Sequence, residues 1–281
     1  MGFMDLIHVN TVVRPRDEAA LPGWVEGDAF VGGGTWLFSD PQPQVRRLVD
    51  LSAVSWPPIV ETATEIVIAA NCTYRQLEAH DWSAFPAGRI FATAIRSLSS
   101  SFKTYHLATV GGNIGLAFAK GMMTPVFITL DATYELATAA SSAGDASARM
   151  ISAAEFQTGV RETILRSGEY VRSIRVPRAA FARRLVLRRA AHSATSHVTA
   201  MVIAAADPLA GATTLTLSGA LAYPVRFTVN TGASLSVQVD AVCAAHPLIA
   251  DSHASEPYRQ LLLRELASEV LAALATPAHE A

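Results

Sequence analysis

Two short glycine runs constrain this chain more than anything else in it: Gly32-Gly33-Gly34-Thr35, and Thr109-Val110-Gly111-Gly112-Asn113. Without a Cβ the backbone can come close to another group. Consecutive amides on such a loop suit phosphate oxygens, so a diphosphate-bearing cofactor held from two sides is the expected occupant. The competing reading is a tight turn where backbone crowds backbone. Each run follows an apolar segment, Ala29-Phe30-Val31 and Leu107-Ala108, so each is expected to cap a buried strand. A Rossmann fingerprint needs a third glycine where this chain has Leu37, and a Walker A loop needs Lys-Ser/Thr where Trp36 and Leu37 follow Thr35.

The chain has 281 residues, room for about two domains. Its apolar fraction of 51% against 16% charged residues implies surface covered by partner subunits. A net charge of −2 gives no case for nucleic acid or an anionic membrane. Arg183-Arg184 and Arg188-Arg189 flank Leu185-Val186-Leu187, which reads as a strand with a solvated or subunit-facing charged surface. The two cysteines, Cys72 and Cys243, cannot build an iron–sulfur cage, so any cluster must sit on another polypeptide. No apolar run is long enough to span a membrane, and the expected location is the cytoplasm.

The first segment, to about Pro57, offers an opening strand at Leu6-Ile7-His8-Val9, the first glycine run and an apolar stretch at 47–51, an order that suits small βαβ-like packing. Trp56-Pro57-Pro58 reads as a hinge. Beyond it, residues 65–70 read as a buried strand, and Thr73-x-x-Gln76 as a capping box opening a helix toward His80. Residues 133–138 alternate as a half-buried strand, 139–148 as a loop, Ser152-x-x-Glu155 as a second capping box, and 170–177 as a strand ended by Pro177. Residues 198–206, 213–220 and 225–229, with 234–240, alternate as an antiparallel meander. One amphipathic helix, about Pro257 to Ala275, closes the chain.

The order of these segments resembles the FAD-binding medium subunit of molybdenum hydroxylases, the family of the carbon monoxide dehydrogenase flavoprotein and the flavin domain of xanthine dehydrogenase. The resemblance rests on Val31 to Thr35, Asn71 to Glu78, Ala108 to Ile114, Pro125 to Ala132 and Ser167 to Pro177. It implies an α+β fold: a two-part PCMH-type FAD-binding domain over 1–177, with subdomains of about 1–57 and 58–177. A flavoprotein C-terminal domain over 178–281 follows, with a three-stranded antiparallel sheet and helices. It implies noncovalent FAD held by Phe30, Val31, Gly32, Gly33, Gly34 and Thr35 with Trp36, by Thr109, Gly111, Gly112 and Asn113, and by Val171. The partners implied are a large molybdopterin subunit and a small [2Fe–2S] subunit, together a dimer of heterotrimers that passes electrons through FAD to an external acceptor.

Three places depart from the family pattern. Trp36 stands where an acidic residue usually follows Gly-Gly-Thr, Met122 where Gly-Asp-x-x-Pro usually has Asp, and Lys103 to His106 where an Arg-Asn pair usually lies. Each lost carboxylate removes a cofactor hydrogen bond worth roughly 0.5–1.5 kcal/mol. A flavin-poor scaffold subunit and a stand-alone flavin oxidoreductase are therefore the alternative readings. Trp36 itself has two: an indole stacked on a cofactor ring, or one packed beneath the loop as core. His106 is near the second run, and His192 with His197 reads as a surface or subunit contact rather than a metal site.

Overall fold

The computed structural model describes residues 6–97, 101–139, 148–193 and 196–276. Three sheets and a two-stranded hairpin carry the chain. The first sheet contains β1 (Thr11–Val13), β2 (Asp28–Val31) and β3 (Arg47–Asp50), all parallel, with β3 in the middle. The crossover from β1 to β2 contains a 3-10 turn at Glu18–Ala20 and that from β2 to β3 only turns, rather than the α-helix of a βαβ unit. The opening strand lies at β1, not at Leu6 to Val9; those residues turn back, with Val9 N bonded to Leu6 O at 3.0 Å, and pack on Val31, Val45 and Leu48. Arg47 grips the buried Asp28 with Nε at 2.7 Å from Oδ1, fixing β2 against β3.

The second unit is an antiparallel sheet built from β4 (Ile59–Glu61), β5 (Glu65–Ala69), β6 (Thr133–Thr138), β7 (Ala148–Ser152) and, later in the chain, the long strand Glu169–Pro177, which lies in its centre between β5 and β6. Helices α1 (Tyr74–Ala79), α2 (Arg89–Ser97), α3 (Phe102–Leu107), α4 (Val110–Leu116) and α5 (Met123–Thr129) lie between β5 and β6. The box at α1 closes in both directions: Gln76 N donates to Thr73 Oγ1 at 3.2 Å and Thr73 N to Gln76 Oε1 at 2.9 Å. Every residue of α5 is buried. Ser152 caps only a single turn, α6 (Ala153–Phe156), which precedes the hairpin of β8 (Gln157–Gly159) and β9 (Glu162–Thr163). The expected loop at 139–148 lies for the most part outside the described residues.

Past the central strand, here β10, the last unit is a four-stranded antiparallel sheet of β11 (Arg184–Ala191), β12 (Val198–Asp207), β13 (Ala212–Ser218) and β14 (Val225–Thr228). It has one strand more than the meander, because β11 pairs along most of β12. Residues 234–240 do not continue the meander: Leu235–Ala245 is helix α7. The alternation there is local, whereas Val239 and Cys243, four apart, both bury on one helical face. Helix α8 spans Glu256–Ala275. β12 separates two cores, with Val198, Met201 and Ile203 facing the main one and Ala200, Val202 and Ala204 facing α8. Arg184, half-buried, reaches the carbonyl end of α8: Nη1 donates to Leu274 O at 2.9 Å and Nη2 to Ala273 O at 3.2 Å.

Candidate functional site

The first glycine run leaves β2 and turns at once, with Gly34 in the left-handed region at φ +66°. The following turn consumes the carbonyls of the run. Phe38 N donates to Gly34 O at 3.1 Å, Ser39 Oγ to Thr35 O at 2.9 Å and Ser39 N to Trp36 O at 2.8 Å. The amides of Gly33, Gly34, Thr35 and Trp36 donate to no acceptor among the described residues. Four neighbouring N–H groups left open beside a left-handed residue make an anion-binding concavity.

The second run is built the other way. It caps no strand: Leu107 ends α3, and Thr109 is the N-cap of α4 with Oγ1 accepting from Gly112 N at 3.1 Å. Val110 N donates to Cys72 O at 2.9 Å, Gly111 N to Ala70 O at 2.7 Å and Asn113 N to Thr109 O at 3.0 Å. Asn113 Oδ1 accepts from Met123 N at 3.2 Å, tying α4 to α5. Its glycines are spacers, since a Cβ on Gly111 would stand 2.5 Å from Ala70 Cβ. The two runs also close on each other. A Cβ on Gly33 would stand 1.6 Å from Leu107 O, and one on Gly32 2.4 Å from Thr109 Oγ1.

Around this junction lies a cleft of about 580 Å³, within the range of small-molecule and cofactor sites. All the residues expected to hold FAD line it: Phe30 to Trp36 from the first run, Thr109, Gly111, Gly112 and Asn113 from the second, and Val171 from β10. One wall is aromatic. Tyr170 sits 5.0 Å from Phe30 and 6.2 Å from Trp56, ring centroid to centroid. Tyr170 and Val171 are adjacent and both line the cleft, because β10 shifts register between Val171 and Ser173. Glu169 lines the same wall, held by Arg149 through two contacts of 2.8 Å, and Arg149 holds its carboxyl below the usual carboxylate range.

Trp36 is half-buried, in ring contact with Phe118 at 5.5 Å and under the Arg161 guanidinium at 4.7 Å. The residues that deliver these groups are strained. Ala117 and Arg161 are left-handed non-glycines at φ 47° and 60°, joined by Arg161 N to Ala117 O at 2.9 Å. Such strain, about 1–2 kcal/mol per residue, gathers where structure fixes a site. Met122, by contrast, is fully buried in the main core and does not line the cleft. Of those two replaced carboxylate positions, only that of Trp36 reaches the site.

Sequence reasoning missed Phe118, Lys120, Glu169, Tyr170 and His197, which also line the cleft. Lys120 Nζ bonds Asp251 Oδ2 at 2.8 Å across 131 positions, and His197 meets Phe118 edge-on at 5.6 Å. Neither leaves a local signal; Tyr170 had one in its place beside Val171 on an apolar strand. His106 does not line this cleft, and among the described residues no cluster of metal-ligating side chains forms, His192 and His197 included. No described helix is long and apolar enough to cross a membrane.

Comparison with known proteins places this geometry. Among solved structures, carbon monoxide dehydrogenase from Oligotropha carboxidovorans superposes with a TM-score of 0.80 at 20% identity, over 94% of this chain and 96% of that one. Quinoline 2-oxidoreductase from Pseudomonas putida 86 gives 0.76 at 21%, over 94% and 96%. Carbon monoxide dehydrogenase from Hydrogenophaga pseudoflava gives 0.79 at 18%, again over 94% and 96%. At such identities the likeness establishes the fold, an α+β one as expected. No curated protein sequence matches the chain significantly. Residues 17–179 match the family described as the FAD binding domain in molybdopterin dehydrogenase, more than half of the chain. This oxidoreductase flavoprotein chain belongs to that family.

Proposed function

We propose that the chain binds FAD noncovalently in the 580 Å³ cleft and is the electron-transfer subunit of a molybdenum-dependent hydroxylase or dehydrogenase. In this reading it takes electrons from [2Fe–2S] clusters on a small partner subunit, which receives them from a large molybdopterin subunit, in a dimer of heterotrimers in the cytoplasm. The observation that carries it is the row of open amides from Gly33 to Trp36 beside left-handed Gly34. These donors fit a diphosphate. The buried thiols agree with clusters held elsewhere: Cys72 and Cys243 are both buried, and burial pushes the Cys72 thiol up to about 12.

The residues divide the work. The first run holds the diphosphate, Phe30, Tyr170 and Trp36 supply flat apolar surface for the ring systems, and Val171 closes the strand side. Thr109, Gly111, Gly112 and Asn113 shape the cleft through the bonds they make to the protein. FAD, when bound, exchanges electron pairs for single electrons, so the protein needs only to orient it and govern access. In this reading the FAD-binding domain runs over 1–177 and the C-terminal domain over 178–281.

The test is purification of the chain with and without its genomic neighbours, followed by a visible spectrum and acid release of the cofactor. Oxidised-flavin absorption near about 450 nm with stoichiometric, acid-releasable FAD is the expected result. Protein that stays colourless in the complex after FAD is added overturns the reading in favour of a scaffold subunit.

A further inference from the structure

Among the described residues that line the 580 Å³ cleft, Lys120 is the only lysine or arginine, and the one lining carboxylate, Glu169, is already bonded to Arg149. Lys120 is 9% exposed. Its ammonium has three N–H donors and, among the described residues, one acceptor, Asp251 Oδ2 at 2.8 Å. That acceptor is shared. Asp251 Oδ1 also accepts from Arg259 Nη2 at 2.7 Å, and the fully buried Arg259 donates from Nη1 to Gly219 O at 3.1 Å. One carboxylate thus serves two cations, and neither cation pairs with another acid among the described residues. Burial raises the Asp251 pKa, but the bonds from Lys120, the His253 amide and Arg259 outweigh it and hold the carboxyl below the usual carboxylate range. The cluster therefore keeps one unmatched positive charge inside the protein at neutral pH.

A buried charge calls for a counter-charge, and the open amides of the first run, being neutral, leave a bound anion in the same need. The two lie close together. Phe118, two residues before Lys120, meets the Trp36 ring at 5.5 Å, and a Cβ on the next residue, Gly121, would stand 3.3 Å from Asn113 Oδ1. His197, which also lines the cleft, supplies no second charge, because burial and then the Lys120 ammonium lower its pKa. We propose that Lys120 is the counter-charge for the cofactor: its ammonium pairs with an anionic group of bound FAD, while Asp251, itself bonded to Arg259, holds it in place from the C-terminal unit. This assignment rests on the FAD reading of the cleft. FAD offers two anions, its diphosphate and, after uptake of two electrons and one proton, the ring system itself. The neighbouring open amides favour the diphosphate.

The experiment compares the full chain with its Lys120→Met and Lys120→Gln variants by calorimetric titration with FAD and, separately, with ADP, which carries the diphosphate without the flavin. The midpoint potential of the bound flavin is read against a reference dye. Both variants leave Asp251 paired with Arg259, and the glutamine can still donate to Asp251, so it carries the test if the methionine impairs folding. A loss of about tenfold in affinity for both FAD and ADP, equal in the two variants, is expected and assigns Lys120 to the diphosphate. Unchanged affinity for both ligands with a potential lower by about 30 mV, a tenfold change for two electrons, assigns it instead to the anion of the reduced ring. The counter-charge is overturned if the parent binds FAD and the folded variants match it in affinity and potential, or if Lys120→Gln alone behaves as the parent does. A parent chain that takes up no FAD sinks the flavin reading. ADP binding by that same chain that falls tenfold without Lys120 leaves the lysine's role as an anion partner standing, whereas a chain that binds neither ligand overturns both.

Discussion

The two glycine runs have similar composition and opposite construction. In the first, the following turn takes the carbonyls and leaves the amides of Gly33 to Trp36 open. In the second, the amides from Val110 to Asn113 all have protein partners, and the glycines let α4 press against the end of β5. A glycine run is therefore evidence of close approach and not of what is approached. The accounting of N–H groups separates recognition from packing.

The strongest way to break this contrast is at the seam where the runs meet. Gly33→Ala would drive a Cβ to 1.6 Å from Leu107 O, a backbone atom that cannot swing aside. A loss of at least about 3 kcal/mol is expected in urea unfolding, with FAD uptake abolished. A variant as stable as the parent would mean that the runs are not in backbone contact.

Gly111→Ala sharpens the contrast, because it crowds Ala70 at 2.5 Å but touches no open amide. It should cost about 2 kcal/mol of stability, while the folded fraction binds FAD within about threefold of the parent. A stable variant that loses FAD would assign the second run a direct binding role.

Much of this was legible beforehand, and the reasons differ by element. The Thr73 cap, the α8 leucine pattern and the cleft residues of both runs follow from local chemistry that a sequence displays. Elements chosen by tertiary packing do not. Ser234 to Asp240 alternates like a strand, yet helix α7 wins because Val239 and Cys243 bury together with Leu263 and Ala267 of α8 in the C-terminal core. The Leu107-Ala108 pair looked like the end of a strand and is instead the break between two short helices. Lys120 and Phe118 reach the cleft only because the C-terminal unit and the β8–β9 hairpin fold back on it, contacts with no sequence signature.

Trp36→Ala probes the run with open amides without altering its backbone. The indole is half-buried, so the urea midpoint should hold. Loss of its flat surface should weaken FAD about tenfold, or about 1.4 kcal/mol. Unchanged flavin occupancy and spectrum would sink the stacking role and leave Trp36 as a packing residue for Phe118 and Arg161.

The smallest expected effect lies on the wall that neither run builds. Glu169 is held by Arg149 at 2.8 Å, with Arg166 N donating to it at 2.7 Å, and its folded pKa is lowered first by the Arg149 bond. The unfolded chain takes up the proton at the ordinary value near 4.5, while the folded chain holds off until a lower pH. Between those two values the unfolded state binds more protons, so the stability that Glu169 contributes is complete above that range and drains away as pH falls through the folded pKa. Glu169→Gln should therefore cost up to about 1 kcal/mol at pH 7 and flatten part of the acid limb of the stability curve. It should leave both glycine runs as they are, because the pair lies on β7 and β10. An equal loss at pH 7 and pH 3 would show that packing, not the ion pair, is what Glu169 supplies to the cleft wall.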